Sequence, residues 1–240
     1  MQTVSKDLKI SGSGSAGGGL FDSVEISGSG KINGDIESQS FKSSGASKVY
    51  GRLITKVLKV SGSTCFKNDI EAKRAEASGS LSVDGHMQCR FLKASGYMGI
   101  GQYLVAEAID VQGRLKVGAY CSAETFKSRG SFDIHGLLNA DRVEVRLYHR
   151  CYAQEIGGGT IEVKRGRKGF GLGKFIHSLL NKELSAELIE GDEIYLENTI
   201  AKTVRGNHVH IGQGCQIDCV EYRSDIQVTG NGQVKKSEKL

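Results

Sequence analysis

A seventeen-residue repeat runs along much of the chain and constrains its fold more than any other feature. Eight consecutive segments of this length, from Asp22 to Gly157, align without a gap. Within each segment, apolar residues occupy alternate positions, which is the period of a β-strand with one buried face. Helical repeats have longer periods, of about 33 to 47 residues, and sheet sandwiches keep no exact period. The repeat therefore predicts a β-helix.

The columns of this alignment separate buried from exposed positions. The third column is apolar and contains Val24, Phe41, Leu58, Ala75, Leu92, Ile109, Phe126 and Val143. The fourth column is charged and contains Glu25, Lys42, Lys59, Glu76, Lys93, Asp110, Lys127 and Glu144. Glycine fills the seventh column in seven of the eight segments. It predicts a corner at which the chain turns through backbone angles that other residues resist.

Three short faces per segment predict an all-β fold, a parallel β-helix with one segment of the repeat in each coil. Successive coils are expected to pair at the ordinary strand spacing of about 4.8 Å. The eighth segment departs from the pattern, because it places His149 and Glu155 in inward columns and Leu147 where the corner glycine stands. The pattern does not reveal the handedness of the coils.

The period stops after Lys164 and divides the chain into four parts. We predict a main β-helix in residues 1–164, with the first 20 or so residues loosely packed because residues 11–19 are rich in Gly and Ser. Residues 165–191 form an insert in which residues 174–190 carry apolar side chains at steps of three and four. This spacing predicts an amphipathic α-helix that ends at Gly191. Residues 192–234 are predicted to form closing coils, and residues 235–240 a disordered polar tail.

The glycine-cornered repeats resemble those of the bactofilin family, the bacterial polymer-forming cytoskeletal proteins. Residues 26–30, 60–63 and 94–96 carry the resemblance, which covers residues 8–164 and extends to residues 193–228. It implies a right-handed β-helix that assembles end to end into filaments without nucleotide. It also implies a cytoplasmic scaffold, in some cases at the inner membrane, whose partner is another copy of itself. The chain departs from the usual family in its length, its lack of proline and its insert, which could cap one end.

Two other functional classes remain open from the residues alone. A β-helix with both ends capped would be a monomeric binding module for a membrane or a protein partner. A β-helix enzyme, such as an acyltransferase or a polysaccharide-active protein, is the other alternative. Acyltransferase β-helices repeat every six residues, and no regular hexapeptide is present. No catalytic Ser-His-Asp or Cys-His arrangement is found either, so we predict no enzymatic activity and no cofactor.

The net positive charge of the chain is concentrated in residues 164–182. This segment has six Lys or Arg residues and no Asp or Glu, in a chain whose net charge is +5. Basic residues beside apolar ones are attracted to anionic membrane surfaces. The residues for which we consider membrane or partner contact are Lys164, Arg165, Arg167, Lys168, Phe170, Leu172, Lys174 and Phe175. In the alternative interpretation, the apolar side packs on the β-helix and the basic residues are only solvated. No nucleic acid partner is expected.

Histidine and cysteine meet in one part of the sequence. His208 and His210 are two residues apart on a predicted strand, and Cys215 and Cys219 follow. This order and spacing is not an established zinc motif, and cysteine also serves as a small apolar residue in cores. We therefore predict no metal site. The six cysteines have no regular spacing, which together with the absence of a basic and apolar leader predicts free thiols in a reducing compartment.

Overall fold

The computed structural model describes residues 6–166 and 182–240, and the regular structure within them consists of β-strands. The chain divides into two compact units, Met1–Ala119 and Tyr120–Leu240. The registered strand pairings within each unit are parallel. Each unit is thus a parallel β-solenoid. The predicted all-β, parallel architecture is confirmed for the described residues.

Unit 1 contains strands β1 to β12. Their bounds are β1 (Leu8–Ile10), β2 (Ser13–Ile26), β3 (Ser29–Ser43), β4 (Ala46–Val49), β5 (Leu53–Val60), β6 (Ser63–Phe66), β7 (Ile70–Ala77), β8 (Ser80–Val83), β9 (Met87–Ala94), β10 (Tyr97–Ile100), β11 (Leu104–Val111) and β12 (Arg114–Val117).

The register of unit 1 is constant from β3 onward. Leu53 opposes Ile70 and Ile70 opposes Met87, so each step between partners equals one full sequence repeat. A constant step places the same column of the sequence repeat on the same side of every coil, because side chains alternate between the two faces of a strand. The third column is buried throughout the unit. The predicted core is therefore confirmed here.

The corner glycines are required by close packing and not by an unusual backbone angle. A Cβ atom on Gly45 would overlap the carbonyl oxygen of Gly28, and one on Gly62 would overlap that of Gly45. Neither Gly45 nor Gly62 has a positive φ. The sequence analysis attributed these glycines to unusual backbone angles, and this reason is wrong. Successive coils approach so closely at these positions that no side chain fits.

A ladder of buried hydroxyl groups lies beside the apolar core of unit 1. The Oγ atoms of Ser43 and Ser47 are 2.9 Å apart, and Ser47 Oγ lies 2.9 Å from Thr64 Oγ1. All three residues are buried. Each hydroxyl thus satisfies another, as buried polar groups generally require.

Unit 2 contains strands β13 to β19. Their bounds are β13 (Cys121–Ser128), β14 (Ser131–Leu147), β15 (Cys151–Arg165), β16 (Leu184–Leu196), β17 (Thr199–Ile211), β18 (Gln216–Val228) and β19 (Gln233–Lys239).

The register of unit 2 changes from coil to coil. One core column runs through Val143, Ile161, Ile194, Val209 and Ile226, and the number of residues between successive members is not constant. The column stays apolar while the length of the connecting chain varies. The departures therefore fall at corners and on outward faces, which tolerate changes in length better than a buried column does.

The eighth segment, which departs from the repeat, places neither His149 nor Glu155 inward. The pairing of β14 with β15 shifts between Ile134 and Leu137, and the shift brings Ile156 opposite Leu138. Ile156 is buried in the column that the repeat assigned to Glu155, whereas Glu155 is exposed. His149 is exposed as well. The slip keeps the carboxylate in water, where a charged group is far more stable.

The predicted helix is wrong where the structure describes it. Residues 184–190 belong to β16, which pairs in parallel with β15 and β17. Leu184 and Ile189 are buried on this strand, and Gly191 continues it instead of ending a helix. The buried residues Leu184, Ala186, Ile189 and Ile194 are two, three and five positions apart, and this uneven spacing resembles that of a helix. Of the remainder, Lys182 and Glu183 have no regular structure, and residues 174–181 lie outside the described residues.

The predicted disordered tail is also wrong. Residues 235–239 lie in β19, which pairs with β18. The following amide extends this pairing, since the Leu240 N–H donates to the Tyr222 carbonyl over 2.9 Å. Backbone hydrogen bonds to β18 thus order a segment whose polar side chains alone predict no structure.

Candidate functional site

The apolar core of unit 2 ends at an uncovered edge. Val209 and Ile211 of β17 are 2% and 0% exposed, whereas Val228, which opposes Ile211 from β18, is 48% exposed. Ile226 is half-buried. Residues 216–222 of β18 pair with β19, but residues 225–228 have registered partners only in β17. We refer to residues 225–228 as the terminal edge, where the described chain leaves one side of an apolar strand unpaired.

Strand β19 differs from the terminal edge, because charged side chains cover it. Lys235 Nζ lies 2.8 Å from Asp218 Oδ1, and Lys236 is paired with Glu238. The hydrogen bond from Lys236 to Glu238 raises the pKa of Lys236. Charged residues on an edge strand oppose pairing with a second chain. The terminal edge has no such ion pair apart from that of Asp225 with His208 among the described residues.

The first described coil also has an open apolar side chain, because Leu20 of β2 is 72% exposed and residues 13–20 have registered partners only in β3. Strand β1 has registered partners only in β2, with Leu8 opposite Val24 and Ile10 opposite Ile26. Ile10 is only 8% exposed. Most of residues 13–20 lie exposed in β2. The described part of this coil has an unpaired strand, but β1 lacks an apolar side chain as open as Val228.

The structure describes two of the eight residues considered for membrane or partner contact. Lys164 Nζ lies 2.8 Å from Glu162 Oε2 and 5.0 Å from the centroid of the Tyr195 ring. The Arg165 backbone N–H donates to Glu197 Oε2 over 2.8 Å. Although burial raises the pKa of Glu162, the hydrogen bond from Lys164 and nearby positive charges lower it overall.

The other six of these residues lie outside the described residues, namely Arg167, Lys168, Phe170, Leu172, Lys174 and Phe175. Where the described chain resumes, the Glu183 carbonyl accepts a hydrogen bond from the Cys151 N–H over 2.9 Å. The described residues on either side of the segment are thus hydrogen-bonded to other residues of unit 2. Contact with a membrane or a partner through this segment stays a prediction.

The structure does not bring the two histidines and the two cysteines together. His208 opposes Asp225 on one face of unit 2, whereas Cys219 opposes Thr203 on another. Cys215 is buried with its Sγ atom 3.2 Å from the Leu196 carbonyl oxygen, and burial raises its pKa to about 11. A thiol of this kind is a weak metal ligand, because metals bind the thiolate.

A row of titratable groups crosses the face that carries His208. The Nδ1 atom of His208 is hydrogen-bonded to Asp225, and its Nε2 atom lies 3.9 Å from Glu193 Oε1. The hydrogen bond to Asp225 raises the pKa of His208, burial lowers it, and the charges of Glu193 and Asp225 raise it further. His210 lies on the same face, with its Nε2 atom 2.8 Å from Thr229 Oγ1.

A group that sequence reasoning missed joins Cys219, Glu221 and Glu238. Their ligand atoms lie within 4.8 Å of one another, which is close enough for one metal ion. Glu221 already accepts a hydrogen bond from Arg205 over 2.6 Å, and Glu238 is paired with Lys236. These cations already neutralise both carboxylates, so the group does not amount to a metal centre.

Sequence reasoning also missed a groove on the outward face of β14 to β18. Its volume is about 660 Å³, and residues of all five strands line it. The floor includes three consecutive glycines, Gly157, Gly158 and Gly159, in the middle of β15. Such a run inside a strand is the signal that could have revealed the groove, because glycine in a strand often marks close approach by another group.

The described residues contain no helix that is long and apolar enough to cross a membrane.

Comparisons with known proteins place the chain beside two proteins of Bacillus subtilis (strain 168). It is 62% identical over 241 residues to the uncharacterized protein YhbE, and the match covers 100% of both chains. It is 42% identical over 106 residues to the uncharacterized protein YhbF, covering 44% of this chain and 42% of the relative. No family model matches the chain, and no solved structure matches it. The full-length match shows that the chain belongs to the same family as YhbE.

Proposed function

We propose that this chain is a non-catalytic structural scaffold that assembles with copies of itself into filaments or oligomers without nucleotide. The terminal edge carries the proposal, because it combines a strand unpaired on one side with an exposed apolar residue. Unpaired strands are templates for association, and proteins normally protect them. A second copy of the chain would supply the missing strand and cover Val228.

The charge distribution favours a second copy at the terminal edge over a chance contact. On β19, the ion pairs of Lys235 and Lys236 oppose pairing with a second chain. Residues 225–228, by contrast, carry two apolar side chains. Growth into a filament needs a second contact surface, and β1 at the first described coil is unpaired on one side. With only one active end, assembly would stop at a dimer. The resemblance to bactofilins supports the filament form.

The test is to image the purified full-length protein by negative-stain electron microscopy without nucleotide and to measure its mass by light scattering. Filaments or oligomers are expected for the unchanged protein. Val228→Asp should raise the dissociation constant of assembly roughly tenfold or more, because it places a carboxylate in the contact and removes apolar area worth about 1.5 kcal/mol.

Ile200→Asp is the matched control. Ile200 is 39% exposed, but it lies in β17 and has strand partners on both sides, Ser185 and Gln216. Its substitution should leave assembly unchanged. A monomeric unchanged protein at every concentration, or equal losses in the two variants, would refute assembly through the terminal edge.

A further inference from the structure

The groove over β14 to β18 contains a gap that the fold does not require. A Cβ atom on Gly157 would meet the tips of two side chains, Asn139 Oδ1 at 3.1 Å and Leu137 Cδ1 at 3.7 Å, and no backbone atom. The φ angle of Gly157 is not positive. By contrast, a Cβ atom on its neighbour Gly158 would overlap the Ala140 carbonyl oxygen. Glycine inside a strand costs about 0.5–1 kcal/mol relative to alanine, so packing explains Gly158 but not Gly157.

The gap lies between two pairs of polar side chains. Gly157 opposes Asn139 of β14 on one side and Glu190 of β16 on the other. Asp141 and Asp192 are the next outward residues of the same two strands, and they also line the groove. At about 4.8 Å per strand, the backbones that carry the two pairs are roughly 10 Å apart. The gap is therefore as wide as one inserted side chain.

The groove has an excess of negative charge. Four carboxylates and two guanidinium groups line it, which gives a net charge of −2. Arg205 is already bonded to Glu190 over 3.2 Å and to Glu221 over 2.6 Å. Asp192 is bonded to the Asn207 amide over 2.8 Å. Asp141 makes no ion pair among the residues that the structure describes.

A single metal ion does not fit this arrangement. Within the described chain, the His, Cys, Asp and Glu ligand atoms that meet within 4.8 Å belong to Cys219, Glu221 and Glu238, outside the gap. Three of the four groove carboxylates, those of Asp141, Glu190 and Asp192, lie on the two strands that flank Gly157. A long cationic side chain can reach several of them at once, because ammonium and guanidinium groups offer several donors.

We propose that this groove binds an extended, lysine- or arginine-rich segment of a partner protein, with one cationic side chain inserted over Gly157. Asp141 and Asp192 neutralise the inserted charge, and Asn139 hydrogen-bonds to the peptide. Arg223, exposed at the β18 side of the groove, repels further positive charge and limits the site to β14, β15 and β16. This partner site goes beyond self-assembly, because the terminal edge is not part of the groove lining.

The probe is a fluorescein-labelled peptide of alternating arginine and serine, titrated into the full-length protein and followed by fluorescence anisotropy. A peptide of alternating glutamate and serine serves as the negative control. We expect the arginine peptide to bind and the glutamate peptide not to bind. Gly157→Leu, which fills the gap, should weaken binding at least tenfold, whereas Gly157→Ala should change it less than threefold.

Charge variants keep the test valid if Gly157→Leu does not fold. Asp192→Asn combined with Asp141→Asn should weaken binding about tenfold. Glu124→Gln removes an exposed carboxylate of unit 2 outside the groove and should not change binding. Absence of binding to the unchanged protein, or equal losses in the Glu124 variant and the double variant, would overturn the proposal. Tighter binding of a peptide of this chain's own residues 164–182 would also overturn it, because the occupant would then be a second copy.

Discussion

Unit 1 and unit 2 have the same parallel architecture, but the number of residues per coil is constant in unit 1 from β3 onward and varies in unit 2. In unit 1, strand partners from β3 onward stand one sequence repeat apart, so each outward column continues without interruption. In unit 2, the step along the core column changes from one strand pair to the next. The core column survives these changes, while the outward face acquires the gap over Gly157. Regular coils therefore build a uniform surface, and irregular coils create specific sites.

The largest expected effect is on stability and concerns one glycine in each unit. Gly62→Ala in unit 1 should lower the stability by about 3 kcal/mol, because its Cβ would overlap the Gly45 carbonyl oxygen and the stacked backbone cannot move aside. Gly157→Ala in unit 2 should be neutral or slightly stabilising. Urea unfolding followed by circular dichroism measures both. Similar losses in the two variants would show that the two glycines serve the same purpose.

A second prediction uses the buried serines, which occupy the same column of the repeat in the two units. Ser43 Oγ is 2.9 Å from Ser47 Oγ, whereas Ser128 Oγ is buried without a hydrogen-bond partner among the described residues. Ser43→Ala should therefore cost about 1 kcal/mol, and Ser128→Ala should gain a similar amount. Urea midpoints of the two variants test the sign. A loss for Ser128→Ala would mean that this hydroxyl has a partner.

The smallest expected effect concerns pH. The outward Lys59–Glu76 pair of unit 1, with its charged atoms 3.5 Å apart, contains no histidine, whereas in unit 2 His208 lies between two carboxylates. The pKa of His208 is raised in the folded protein. Its contribution is thus complete below the unfolded pKa of about 6.5 and is lost as pH rises through the folded value. His208→Gln should reduce the fall in urea midpoint between about pH 6 and pH 9.

His149→Gln is the control for this pH prediction, because His149 is exposed and has no ion pair among the described residues. Its substitution should leave the pH dependence as it is. An unchanged pH dependence in the His208 variant would show that its carboxylate partners do not contribute to stability.

The sequence predicted the fold wherever its period held. Alternation of apolar residues at a constant step identifies both the strands and the inward columns, so Val24, Phe41 and Leu58 were assigned to the core correctly. Where the step changes, the same logic fails. The fixed period places Glu155 in an inward column, which the shift between β14 and β15 changes, and residues 184–190 were assigned to a helix because the buried residues of β16 are unevenly spaced.

The candidate sites were harder to predict, because they depend on what is missing. The terminal edge exists because β19 covers only residues 216–222 of β18, and no pattern in the sequence marks where a strand partner ends. The gap over Gly157 is an absent side chain between Asn139 and Glu190, which are far apart in the chain. Only the register of β14, β15 and β16 brings them to one place.

The constant step of unit 1 also has a consequence for how its gene can change. Deleting or duplicating one whole repeat, for example residues 56–72, would return the chain to the same column and preserve every corner glycine and buried position. Any length other than a whole number of repeats would put core residues out of their column. Unit 1 can therefore be shortened or extended only by whole coils, in steps of about 4.8 Å. Unit 2 has no constant step between strand partners. Removing or adding a coil there would therefore change the groove as well as the length.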